Sequence, residues 1–273
     1  MSEMSSEHRF EFTKENIDLY LKEVAKEYRK QVGKGMPAEL ILVGGASVLI
    51  NYGFRNMTTD IDALIYASSG MNDVVNRVGD RFGLPSGWLN ADFKNTASYT
   101  PKLNEFSVYY KTYSNILSIR TVSAEYLIAM KLQSGRQYKS DLSDVLGILA
   151  EHEKRGMPIT MEQIRKAVTD LYGDRALLSD MSQAFIENVM EDGRFEQLYD
   201  RIAQDEQETK ELLIQFEKDY PGAAKEANID AIVVNLQKKA DKAYILAKLR
   251  QKQTGSADTT PEKKPGKKDN LER

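Results

Sequence analysis

The chain has 273 residues, with 38 lysines and arginines against 41 aspartates and glutamates and a formal net charge of −3. That near-balance provides no field for general nucleic-acid binding. The lack of cysteine excludes disulfides and thiolate zinc sites. With His8 and His152 as the two histidines, a histidine-rich metal site or a Ser-His-Asp triad is not expected. The N-terminus, MSEMSSEHRFEF, is polar and has no apolar signal core. No stretch approaches the roughly 20 apolar residues of a bilayer span, so a cytoplasmic chain without membrane contact is expected.

In chain order, Thr13 is a candidate N-cap for a helix running to about Val32, with Ile17, Leu21, Val24 and Tyr28 on one face and Gly33 as its stop. Gly35-Met36-Pro37 reads as a turn. Ala38 to Val43 is a short apolar run that suits a buried strand, closed by Gly44-Gly45, with a short helix from Ala46 to Tyr52. Thr59 to Tyr66 alternates as a second strand, with Asp60, Asp62 and Leu64 on one face. Asn72 to Phe82 reads as a helix. A loop holding Gly83, Pro85 and Gly87 leads to Trp88-Leu89-Asn90, where Trp88 is expected in the core. Phe106 to Tyr110 and Ile116 to Val122 read as strands joined by a turn at Tyr113-Ser114-Asn115. From Ser123 the pattern turns helical, first over Tyr126 to Leu132, then over Asp141 to His152, then nearly throughout from Ile159 to about Gln251. Residues 254–273, TGSADTTPEKKPGKKDNLER, have the composition of a disordered tail.

The residues that point to chemistry lie at the first two strands. Carboxylates at i and i+2 of a strand emerge on one face about 7 Å apart at their base, and can converge on a hard cation. Mg²⁺ is the natural choice, since it takes carboxylate oxygens together with substrate phosphates. A glycine pair lets backbone approach a phosphate closely, and the N-terminus of the following helix offers N–H groups and a positive dipole end. A bare Asp-x-Asp more often marks a solvated strand end. Gly-Gly at this spacing, after an apolar strand, is what selects the metal and phosphate reading.

The segment ILVGGASVLINYGFRNMTTDIDALI resembles the signature of the nucleotidyltransferase superfamily, in which a Gly-Gly or Gly-Ser turn precedes an Asp-x-Asp strand. SAEYLIAMKLQSGRQYKSDLSDVLGIL and the LPSGWLN stretch are similar to segments of the AbiEii-like branch, whose members are associated with toxin–antitoxin and abortive-infection systems. The resemblance covers about residues 38–150. It implies an α/β (α+β) fold, a nucleotidyltransferase-like mixed sheet with flanking helices, and the residue pattern beyond it adds an all-helical C-terminal region. The organisation expected is an N-terminal helix over 1–34, the nucleotidyltransferase-like domain over 35–152, helices over 153–253 and the tail.

Carried over by position, the resemblance implies that Asp60 and Asp62 bind Mg²⁺ in a two-metal arrangement. Gly44, Gly45 and Ser47 would meet the NTP phosphates, Lys131 would meet them as a point charge, and Asp141 would be the late carboxylate, with Asp144 beside it. Arg55 and Thr59 would brace the Asp-x-Asp strand. The superfamily's polymerising members carry a third strand acid. The strand expected at Phe106–Tyr110 has none, so Glu105 just before it, or Asp141, is the candidate.

Plainer readings stand beside these. Lys131 fits a lysine snorkelling from an amphipathic helix, and Asp141 and Asp144 fit an exposed helix face paired with Arg136 and Lys139. Both histidines read as surface residues. The function expected is Mg²⁺-dependent transfer of a nucleoside monophosphate from an NTP to an RNA or protein acceptor, as a toxin-like component with an antitoxin-like protein partner. The alternatives are a catalytically impaired module that binds nucleotide or a partner protein, and a small-molecule nucleotidyltransferase of the antibiotic-modifying type.

Overall fold

The computed structural model describes residues 10–173, 178–225 and 228–239. His8, residues 240–251 of the expected helical run and the expected tail at 254–273 lie outside the described residues. The chain divides into two compact units, Met1–Glu208 and Thr209–Arg273. The first contains all the expected site residues.

Helix α1 (Lys14–Val32) starts where the sequence places it, with the Thr13 N–H donating to Asn16 Oδ1 at 2.9 Å. Strand β1 (Ala38–Leu42) follows, then α2 (Gly44–Asn51), β2 (Ile61–Tyr66) and α3 (Met71–Phe82). A two-residue strand β3 (Leu89–Asn90) precedes two short 3-10 turns, and then come β4 (Ser107–Tyr113) and β5 (Leu117–Val122). The hairpin between β4 and β5 turns at Ser114 and Asn115, both with φ near +50°, in the left-handed region that asparagine tolerates better than most residues. Helices α4 (Ala124–Ser134), α5 (Asp141–Lys154), α6 (Met161–Tyr172), α7 (Asp180–Asp192) and α8 (Phe195–Asp219) complete the elements. In the second unit, residues 229–239 are helical, and Gln237 Nε2 donates to Thr209 Oγ1 at 2.9 Å.

The sheet is five-stranded and mixed, in the order β3-β2-β1-β5-β4. β1 lies parallel to β5 and antiparallel to β2, while β3 is parallel to β2. β1 is central and covered on both faces, which is why its sequence is a continuous apolar run rather than an alternating one. Alternation along the strands sorts the core into two layers. Leu40, Leu42, Ala63 and Ile119 pack with Leu21, Val24 and Tyr28 of α1 and Val74 and Val78 of α3. Ile41, Leu64 and Val122 pack with Leu127 of α4, Val145 and Leu149 of α5 and Ile164 of α6. Helix α1 is therefore one wall of the main core.

Two local expectations are corrected, and one strand is added. Helix α2 begins at Gly44, with Val43 as its N-cap, so the glycine pair is the helix's first turn rather than a connection ahead of it. β2 begins at Ile61, which leaves Asp60 immediately before the strand. The upstream residue is held instead by an isolated bridge, Phe12 to Thr58, with N···O distances of 2.8 and 2.9 Å. Leu89-Asn90 becomes a strand because it extends the sheet beside β2, a pairing invisible in a two-residue pattern. Among the described residues no helix is long and apolar enough to cross a membrane.

Candidate active site

The β1–α2 junction and the start of β2 are joined by the sheet itself. The Val43 N–H donates to the Asp62 carbonyl at 3.0 Å, which sets the first turn of α2 beside the Asp-x-Asp segment. Gly44 has φ +54°, and a Cβ built on it would stand 3.6 Å from Asp62 Oδ2. This position needs glycine for its left-handed backbone. Gly45 needs it for space, since a Cβ there would meet Thr58 Oγ1 at 2.6 Å and Arg55 Nη2 at 3.0 Å. The glycines thus let the turn approach the protein's own polar side chains. The N–H groups of a helix's first turn lie outside the helical ladder, at the positive end of the dipole. Ser47, one turn along, is wholly buried, and its Oγ has no hydrogen-bond partner among the described residues.

Asp62 is half-buried and Asp60 exposed. Burial first, and the Asp60 carboxylate second, push the Asp62 carboxyl up to about 6, against the pull of Lys139 and Arg136. A neighbouring carboxylate that raises the cost of ionising Asp62 makes a donor pair whose repulsion a hard divalent cation would relieve. Among the described residues, no group of three or more His, Asp or Glu side chains is placed to hold a metal ion. Asp60 and Asp62 offer two carboxylates, hard oxygen donors of the kind that Mg²⁺ takes when substrate phosphates and water complete its shell.

Behind this pair lies an alternating chain of charges. Lys131 Nζ is 2.8 Å from both Asp141 Oδ1 and Asp144 Oδ2. Arg136 Nε reaches Asp141 Oδ2 at 2.8 Å, and Arg55 Nη1 reaches Asp144 Oδ2 at 2.5 Å. Asp141, Asp144 and Lys131 are all buried, so the exposed helix face and the snorkelling lysine are both corrected. Burial alone would raise the Asp141 pKa, but Lys131 and Arg136 outweigh it and hold the carboxyl well below the ordinary range. The same balance keeps Lys131 charged: burial opposes the ammonium, while Asp141 and Asp144 prevail. Arg55, expected to brace the Asp-x-Asp strand, pairs instead with Asp144, and it also donates from Nε to the Met57 carbonyl at 3.0 Å. Thr58, not Thr59, makes the neighbouring contact, from Oγ1 to the Asp60 carbonyl at 3.2 Å.

Three features escape a reading of the sequence. Glu206 of α8 caps the first turn of α5: its Oε1 accepts the Leu142 N–H at 2.9 Å, and its Oε2 accepts the Ser143 hydroxyl. Burial pushes its carboxyl up to about 7. Its separation of 63 residues from Ser143 leaves no local signal. Asp92 acts on Asp62, raising its pKa, because β3 sets Asn90 in register with Asp62. Lys139 feels Asp60 and Asp62 across the same space. Glu105, by contrast, is exposed and precedes edge strand β4, three strands from β2, or about 14 Å at the usual spacing between strands. It is corrected as a third acid. Trp88 is in the core as expected, with Nε1 donating to the Val75 carbonyl at 3.2 Å. His152 is half-buried rather than a surface residue, with Nε2 3.2 Å from the Tyr52 hydroxyl.

No curated protein and no solved structure matches this chain. Residues 20–155, from within α1 to the end of α5, match a family model described as nucleotidyltransferase of unknown function (DUF6036). This span holds the glycine turn, the Asp-x-Asp segment and the buried charge chain, and its match supports placing the chain in the nucleotidyltransferase superfamily.

Proposed function

We propose that the chain is a Mg²⁺-dependent nucleotidyltransferase that moves a nucleoside monophosphate from an NTP to an RNA or protein acceptor. The observation that carries this reading is the juxtaposition of Asp62 with Gly44 at the first turn of α2, with Asp60 alongside. Asp60 and Asp62 are the residues to hold Mg²⁺, which when bound neutralises triphosphate charge and stabilises the departing pyrophosphate. The N–H groups of Gly44 and Gly45, at the positive end of α2, would donate to phosphate oxygens. Ser47 has no exposed surface, and we assign it to the packing beneath that turn. Lys131 and Asp141 act as a pair: buried against each other, they anchor α4 to the first turn of α5 and position the loop between them. In the reaction an acceptor hydroxyl oxygen bonds to the α-phosphorus as the bond to the bridging oxygen breaks, pyrophosphate leaving and the hydroxyl proton passing to solvent. The chain's part is to orient and to balance charge.

A second reading, a nucleotide-binding module without transferase activity, is favoured by one observation: no third carboxylate joins Asp60 and Asp62 in a chelating group among the described residues. The test that separates them is incubation with α-labelled NTPs, Mg²⁺ and total RNA or protein, alongside Asp60→Ala. Labelling by the wild type that the variant loses supports transfer. Equal labelling by both, or none with any NTP, refutes it. NTP binding without labelling selects the module.

A further inference from the structure

Helix α8 lies well beyond residues 20–155, the span that matches the family model, yet it grips the framework of the candidate site at two points. Near its start the Tyr199 hydroxyl donates to the Phe54 carbonyl at 3.3 Å, and the two rings meet edge to face with centroids 5.5 Å apart. Two turns later comes Glu206, which is 6 % exposed. Its Oε1 accepts the Leu142 N–H at 2.9 Å and the Ser143 N–H at 3.4 Å, and its Oε2 accepts the Ser143 hydroxyl. At this spacing Tyr199 and Glu206 share one face of the helix, and Ile202 between them packs against the core. Both residues belong to the first compact unit.

What α8 holds at these points are the two halves of one ion pair. Phe54 precedes Arg55, Leu142-Ser143 precedes Asp144, and Arg55 Nη1 lies 2.5 Å from Asp144 Oδ2. Helix α5 is shaped for the same junction, since a Cβ on its Gly147 would stand 2.5 Å from the Phe54 ring. From Arg55 the contacts run on to the site. Its Nε donates to the Met57 carbonyl at 3.0 Å, and its Nη2 is where a Cβ on Gly45, in the first turn of α2, would meet it at 3.0 Å. Three donors converge on Glu206, so the α5 turn cannot shift without leaving buried polar groups short of a partner. A guanidinium–carboxylate contact keeps its direction only while both partners are fixed. The face of α8 is thus tied by successive contacts to the glycine turn and to the approach to Asp60.

We propose that Glu206 is a positioning residue of the candidate site, with Tyr199 as its companion on α8. Together they fix the Arg55–Asp144 bridge and, through it, the glycine turn and the Asp-x-Asp segment. The positioning stands on contacts alone, while what the positioned groups do rests on the nucleotidyltransferase reading. Both residues act through Arg55 and Asp144 rather than on a nucleotide.

The test is amide hydrogen exchange of the full chain at one pH, followed by NMR, for wild type, Glu206→Ala, Glu206→Gln and Tyr199→Phe. Each protein is also titrated calorimetrically with the four NTPs in Mg²⁺. In Glu206→Ala the Leu142 and Ser143 amides are expected to exchange about tenfold faster, the weight of a charge-assisted hydrogen bond. The Val43 and Thr58 amides, bonded to the Asp62 and Phe12 carbonyls, report on the site, and exchange about threefold faster is expected there. Amides of α1, in the core layer on the other face of the sheet, are expected to keep the wild-type rate. NTP affinity is expected to fall about threefold in Glu206→Ala. Glu206→Gln keeps a carbonyl acceptor for the α5 turn and is expected within about twofold of wild type in every reading. Tyr199→Phe is expected to speed Thr58 alone, and it carries the test where Glu206→Ala does not fold. Four outcomes overturn the inference and leave the proposed function standing: a response confined to Leu142 and Ser143, equal acceleration throughout α1, no rescue by Gln, or unchanged NTP affinity in Glu206→Ala. Thr58 at the wild-type rate in Tyr199→Phe removes Tyr199 from it. A wild type that binds no NTP while Val43 and Thr58 respond as expected overturns the function and leaves the positioning standing.

Discussion

Lys131→Met tests the buried charge chain most directly, because methionine keeps the unbranched shape and removes the ammonium. Each of the two contacts at 2.8 Å has a gross Coulomb energy of about 6 kcal/mol at an effective dielectric of about 20. Most of that is offset by the cost of desolvating three ions. Breaking a buried pair usually costs about 3–5 kcal/mol because a charge is left uncompensated. Here each carboxylate keeps a second cation, Arg136 for Asp141 and Arg55 for Asp144, so the low end, about 3 kcal/mol, is expected. For a unit of this size, that loss corresponds to a fall in melting temperature of roughly 6–12 °C. The assay is thermal unfolding followed by circular dichroism at neutral pH, with Asp144→Asn and the double variant completing a cycle. A fall under about 2 °C, or a coupling between the two sites near zero, would refute the buried-anchor reasoning and return Lys131 to the pool of free phosphate ligands.

Two further outcomes follow from the same geometry. Gly45→Ala is expected to destabilise by about 1–3 kcal/mol, because its Cβ would stand 2.6 Å from Thr58 Oγ1 and the crowded side chains must move; a melting temperature equal to wild type would show that Thr58 and Arg55 yield freely. Glu206 has its carboxyl raised to about 7 from an ordinary 4.5, so the folded state holds a proton that the unfolded state releases between those values. Stability is therefore expected to fall as pH rises from about 4.5 to about 7, by up to about 3 kcal/mol. Denaturant unfolding at several pH values would show a shallower decline in Glu206→Gln; equal slopes in the two proteins would remove Glu206 as the cause.

What the sequence determines by itself is what local physics decides. The apolar period and threonine cap of α1, the uninterrupted run of β1, and the Ser114-Asn115 turn between β4 and β5 are each specified within a few residues, and each forms where the pattern puts it. The identities of Gly44, Gly45, Asp60 and Asp62 are legible for the same reason, since strand, turn and strand lie within one short segment. Their surroundings are not. β3 has two residues and no period to read; only its pairing beside β2 brings Asp92 to act on Asp62. Lys131, Asp141 and Asp144 are visible as charged residues on helical stretches, but periodicity describes exposure around one helix and says nothing of a neighbour. Burial between α4, α5 and the approach to β2 turns them into a closed chain with Arg55 and Arg136. It also brings Glu206 from far along the chain to the first turn of α5. That Lys131 is sealed in depends on this long-range packing, because an ion pair is fixed by distance and desolvation rather than by order in the chain.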